Sequence, residues 1–216
     1  MKGVYVGFAN RNRHSIWPEE AVRQEATQYY PIPEGTNAFT YLFQPVLDKL
    51  GPLYWYAWGF ESTPFVSLIY EEEGGIDRLE SLMVHQTPEG AATQSLLYAP
   101  GTLPDLAPYL YDDWVYLVGL DPSRCDPMAA ARRLNGHRDN ARSYRPGRSE
   151  LPAFHDAVEE LAEMCFICVD GISWELYAHE YELVSRVVEH LRGRRGFDMR
   201  ECELRERGEW GPVEPA

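Results

Sequence analysis

Apolar positions along this chain recur with two periods, and together they lay out an α+β protein. Near the C-terminus, the apolar run Met164–Val169 leads to Asp170-Gly171, a favoured two-residue hairpin turn, and then to the alternating stretch Ile172–Ala178. With those two residues as the loop, Val169/Ile172, Ile167/Trp174 and Cys165/Leu176 share one face, and Cys168/Ser173, Phe166/Glu175 and Met164/Tyr177 share the other. One face is wholly apolar and the other mixed, which predicts an antiparallel sheet with helices packed on one face.

The helical period flanks this hairpin. Pro152–Glu163 carries Phe154, Ala157, Val158 and Leu161 on one stripe. Glu180–Arg192 carries Tyr181, Val184, Val187, Val188 and Leu191, stops at Gly193 and leads to a strand at Phe197–Leu204. A similar order precedes it: a helix over Ala38–Leu50 bounded at Pro45, strands at Leu53–Phe60 and Phe65–Tyr70, and a helix over Ile76–His85. A Pro-rich excursion from Thr87 to Tyr111 then leads to a strand at Asp113–Leu120. The expectation is two topologically similar αββαβ halves, with Met1–Ala9 as an added N-terminal strand and Trp17–Thr27 as a short helix. Residues 1–120 form the first block, 121–148 an Arg-rich connection, 149–207 the second block and 208–216 an irregular tail; the blocks are compatible with one compact domain.

Composition narrows the function classes. At 216 residues, 44% hydrophobic and 25% charged, the chain is an ordinary globular mixture. No apolar run reaches the ~18 residues needed to cross a bilayer, so the expectation is a cytoplasmic protein without a membrane partner. The net charge of −14 argues against binding nucleic acid or anionic lipid and favours a basic protein partner. Only the Asp121–Arg148 segment runs the other way, with seven Arg against three Asp. A helix is predicted from Asp126-Pro127 to Asn135-Gly136, leaving His137–Ser149 as a loop. Those arginines are read first as partners for the chain's own carboxylates.

Candidate chemistry is sparse. The sequence holds no HExxH, GxSxG, P-loop or GxGxxG pattern, so it implies no cofactor or metal and points away from catalysis. Cys165 and Cys168 resemble a CxxC knuckle in spacing only, because residues three apart in a strand face opposite ways. Cys125, after Arg124, is the one thiol in an electropositive setting, and His155 and His190 read as surface histidines beside acids.

Recognition surfaces offer more. In Tyr54-Trp55-Tyr56-Ala57-Trp58, Tyr56 and Trp58 share a face. Without a helical cover, that face would join Glu71, Glu72, Glu73, Asp112 and Asp113 as aromatic anchors with an acidic rim. The leading expectation is therefore a non-catalytic acidic module that captures a basic protein, as an inhibitor or immunity-type protein does. The rival is an enzyme or small-ligand protein binding an anionic metabolite in a cleft between the halves, through Arg11, Arg13, His14, Arg138, Arg142 and Arg145. A homo-oligomer or assembly subunit, mated through the aromatic strand, is the third.

Overall fold

The computed structural model describes residues 1–8, 32–33, 36–59, 81–86, 95–110, 115–141, 151–169, 173–208 and 211–212. Eight strands form one antiparallel sheet: β1 (Lys2–Phe8), β2 (Tyr54–Gly59), β3 (Met83–Gln86), β4 (Ser95–Tyr98), β5 (Val115–Leu120), β6 (Met164–Val169), β7 (Ser173–Ala178) and β8 (Phe197–Glu203). Their spatial order is β3-β4-β2-β5-β6-β7-β1-β8. The N-terminal strand thus lies between the last two, and strands from both sequence blocks share the sheet. Gly3 lets β1 approach β7, since a Cβ there would collide with the Leu176 carbonyl and the Tyr177 ring.

The α+β class and the antiparallel sheet follow the sequence pattern, and helices cover both faces of that sheet. On one face lie α1 (Ala38–Leu47) and α5 (Tyr181–Leu191); on the other lie α3 (Pro127–Ala141) and α4 (Leu151–Leu161). A short α2 (Leu103–Leu106) precedes β5. The α1/α5 face is built on aromatic contacts, with Phe39 4.9 Å from Phe166 and 5.1 Å from Trp174 between ring centroids. The α3/α4 face buries Tyr116, Phe154 and Trp58, whose rings meet at 5.1–5.2 Å. With both sides of the sheet enclosed, alternate residues of a strand enter two separate cores.

The β6–β7 register differs by one residue from the two-residue turn. Cys165 pairs with Tyr177, Phe166 with Leu176, Ile167 with Glu175 and Val169 with Ser173. The slip regroups the faces: Met164, Phe166, Cys168, Trp174, Leu176 and Ala178 face α1/α5, while Cys165, Ile167 and Tyr177 face α3/α4. It removes Glu175 from opposite Phe166 and leaves it on the face that receives Arg207. Cys165 and Cys168 do lie in opposite cores.

Local signals were overridden where a distant partner intervened. Pro45 lies inside α1, where its ring nitrogen cannot donate to the Tyr41 carbonyl one turn back; His190 Nε2 of α5 contacts that oxygen at 3.0 Å. His190 is therefore half-buried and structural. α3 runs past Asn135-Gly136 to Ala141, because buried Asn135 accepts the Tyr56 hydroxyl at 2.8 Å and its side chain is used across the core. Met83–Gln86 is a strand where the helical stripe predicted a helix through His85; Met83 packs against the core while Val84 is exposed. The excursion after Thr87 contains β4 and α2. Gly208 pairs in a two-stranded ribbon, Arg207–Gly208 with Gly211–Pro212, within the expected irregular tail. The strand expected at Phe65–Tyr70 and the helix at Trp17–Thr27 lie outside the described residues.

Candidate functional site

The densest group of reactive side chains lies beneath α4. Glu175 on β7 and Arg207, just past the 3₁₀ turn Leu204–Glu206, form a fully buried ion pair, with Nε to Oε2 at 2.8 Å and Nη2 to Oε1 at 3.3 Å. The Tyr177 hydroxyl donates to Glu175 Oε2 at 2.7 Å, and Arg207 Nη1 donates to Tyr116 Oη at 3.2 Å. Tyr116 Oη lies 3.3 Å from His155 Nε2. The Tyr116 hydroxyl, which accepts from Arg207, meets His155 Nε2 as donor or as second acceptor according to the imidazole tautomer.

Burial sets the protonation states of this cluster. It drives the His155 pKa down to about 3, and the nearby Arg207 charge adds to the fall, so the ring is neutral at pH 7. Burial raises the Tyr116 hydroxyl and the Cys165 thiol far above their usual ranges, and Arg207 only partly opposes it. Tyr177 is likewise raised by burial and by adjacent Glu175, and Cys202 is pushed up to about 11. Burial works against the Arg207 charge, and the hydrogen-bonded Glu175 carboxylate beside it offsets that cost. Neither thiol is a thiolate at neutral pH, and the network is closed to solvent. Its chemistry is that of a clamp: it ties the C-terminal segment to β5, β7 and α4.

Other sequence candidates have structural partners. Tyr56 and Trp58 are 1% and 0% exposed beneath α3 and α4, so they form no recognition surface; the helical cover on that face is the physical reason. His155 is 2% exposed rather than on the surface. Arg124 pairs with Glu163, and Arg133 forks onto Glu160 with Nη1 to Oε1 at 2.7 Å and Nη2 to Oε2 at 2.5 Å, in keeping with arginines that serve the chain's own carboxylates. Cys125 contacts the Asp121 and Leu161 carbonyls, and burial raises its thiol pKa, so it is not an activated nucleophile. Among the described residues, no three His, Cys, Asp or Glu side chains gather as a metal site, and no helix is long and apolar enough to cross a membrane.

Glu71, Glu72, Glu73, Asp112, Asp113, Arg11, Arg13, His14, Arg142 and Arg145 lie outside the described residues, but their points of attachment do not. Gly59 pairs with Val115, Val115 with Cys168, and Gly7 with Ser173, so the end of β2, the start of β5 and the end of β1 share one end of the sheet. Asp112-Asp113 leads into β5 and Phe8 leads to Arg11, Arg13 and His14 at that end; Glu71–Glu73 lies in sequence between Gly59, at that end, and Met83, which pairs with Tyr98 at the other. α3 starts at the opposite end, where Arg124 meets Glu163 just before β6. Asp112-Asp113 and the segment after Phe8 thus join the sheet at one end, whereas the segment that holds Glu71–Glu73 joins it at both.

Comparison with protein-family models, with curated proteins and with solved structures gave no match. The site therefore rests on this chain's own geometry and charge.

Acidity is also uneven along the chain. The described residues hold 17 acids and 13 bases, against 17 acids and 7 bases in the rest of the chain. Most of the net negative charge thus lies outside the described residues.

Proposed function

We propose that this chain is a non-catalytic acidic module that captures a basic protein, in the manner of an inhibitor or immunity-type protein. The observation that carries this reading is the uneven charge: the described residues carry a net −4, whereas the rest of the chain, which holds Glu71–Glu73 and Asp112-Asp113, carries −10. A concentration of one sign of charge raises the encounter rate with an opposite-sign partner and disfavours acidic competitors. The sealing of His155, Cys165 and Tyr116 within the core supports a structural use of those groups. Tyr56 and Trp58 anchor the sheet from inside, and recognition belongs to Glu71–Glu73 and Asp112-Asp113.

A second reading draws on Arg11, Arg13, His14 and Arg138, whose charge suits an anionic metabolite. Affinity capture from native cell extract separates the two. Basic proteins retained by the wild type and lost from the charge-reversed variant Glu71→Lys/Glu72→Lys/Glu73→Lys support capture. Retention unchanged by the reversal, together with thermal stabilisation by phosphate or citrate, favours the metabolite site.

A further inference from the structure

Among the described residues, the sheet has one long edge. Among the described residues β8 is hydrogen-bonded to β1 alone and runs seven residues, whereas the opposite edge, β3, has four and a register shift between Met83 and His85. An open edge offers N–H and C=O groups at every second residue to an added strand. Phe197 and Met199 turn toward the α1/α5 core, and Glu201, on the same face, accepts the Tyr181 hydroxyl at 3.0 Å. Arg200, on the other face, stacks its guanidinium 4.5 Å over the Tyr5 ring. The remaining charged positions of the strand, Asp198 and Glu203, are exposed like Glu201.

On the inner side, Asp198 has Gly7 as its cross-strand neighbour, Glu201 has Val4 and Glu203 has Lys2. On the outer side, all three acids face positions that an incoming strand would fill. Glu201 and Glu203 are two residues apart, roughly 6.6 Å along the strand, so cations at alternate positions of that strand meet both. A groove of about 550 Å³ at the end of β8, lined by Lys2, His179, Tyr181 and Glu203 among others, gives its side chains room.

We infer that β8 accepts an extended segment of a basic protein as a ninth strand, with Lys or Arg at alternate positions opposite Glu201 and Glu203. The inference rests on the reading that the partner is basic, and it names the surface and the mode. Main-chain hydrogen bonds supply affinity in such an addition, and the flanking side chains select the partner. A second β8 or an acidic strand brings like charges directly opposite these acids, which opposes pairing.

The test uses the full chain and three labelled octapeptides: (Lys-Val)₄, (Lys-Pro)₄ and (Glu-Val)₄. Anisotropy gives affinity, and amide hydrogen exchange locates the contact. (Lys-Val)₄ binds about tenfold tighter than (Lys-Pro)₄, which has equal charge but fewer strand donors, and (Glu-Val)₄ does not bind. Binding slows exchange across residues 197–203, and Glu201→Lys/Glu203→Lys weakens it about tenfold. Equal affinity for the two cationic peptides, or binding without protection of β8, overturns strand addition and leaves the basic-partner reading standing. No binding by either cationic peptide counts against both.

Discussion

Replacing Arg207 with Met tests the buried clamp. Both members of the Arg207–Glu175 pair are 0% exposed, with charged atoms 2.8 Å apart. At an effective dielectric of about 20, two unit charges at that separation attract by roughly 6 kcal/mol, and the cost of taking both from water cancels much of it. The variant keeps the desolvation cost of Glu175, loses the attraction and leaves the carboxylate with the Tyr177 hydroxyl as a donor. The expected loss is ~3–5 kcal/mol in urea denaturation at pH 7.5, with early proteolysis of the segment after Leu204. The double variant Glu175→Gln/Arg207→Met removes both charges and recovers most of that loss, to within about 1–2 kcal/mol of wild type. A cost below about 1 kcal/mol for Arg207→Met, or a double variant no better than the single one, refutes the account of the clamp.

Two further outcomes follow from the core. Trp174→Ala removes a fully buried ring from contact with Phe39 and Phe43 and costs ~3–5 kcal/mol; a denaturant loss under about 1 kcal/mol contradicts the observed face assignment. His155 has a folded-state pKa of about 3 against an ordinary 6.5, so between those values the unfolded chain binds a proton that the native one rejects. Stability therefore falls as pH falls through that window, by about 2 kcal/mol between pH 7 and 5 from this group. His155→Gln flattens that part of the pH profile, and an unchanged slope counts against a neutral buried imidazole.

Elements with strong local periodicity were legible in the sequence. α5 places Val184, Val187 and Leu191 on one buried stripe, and α4 does the same with Phe154, Ala157 and Val158. What local pattern could not resolve was anything decided by a distant partner. A period of two is satisfied equally by either β6–β7 register; the observed one places Glu175 where Arg207, 32 residues later, reaches it. His155 and His190 resemble surface residues beside their helical acids, but their partners Tyr116 and Tyr41 lie 39 and 149 residues away. Tyr56 and Trp58 read as exposed anchors only while the second pair of helices had no assigned face. The acids and arginines singled out from the sequence were legible as residues, yet where their segments join the sheet emerges only from the strand register.

Ionic-strength dependence of association with the basic protein retained from extract tests the central claim most directly. If Glu71–Glu73 and Asp112-Asp113 steer that partner, the association rate falls about tenfold or more between 20 and 200 mM salt. Glu71→Lys/Glu72→Lys/Glu73→Lys with Asp112→Lys/Asp113→Lys then lowers the low-salt rate and removes most of the salt dependence. A rate indifferent to salt, or a reversed variant that associates as fast as wild type, contradicts capture through these acids.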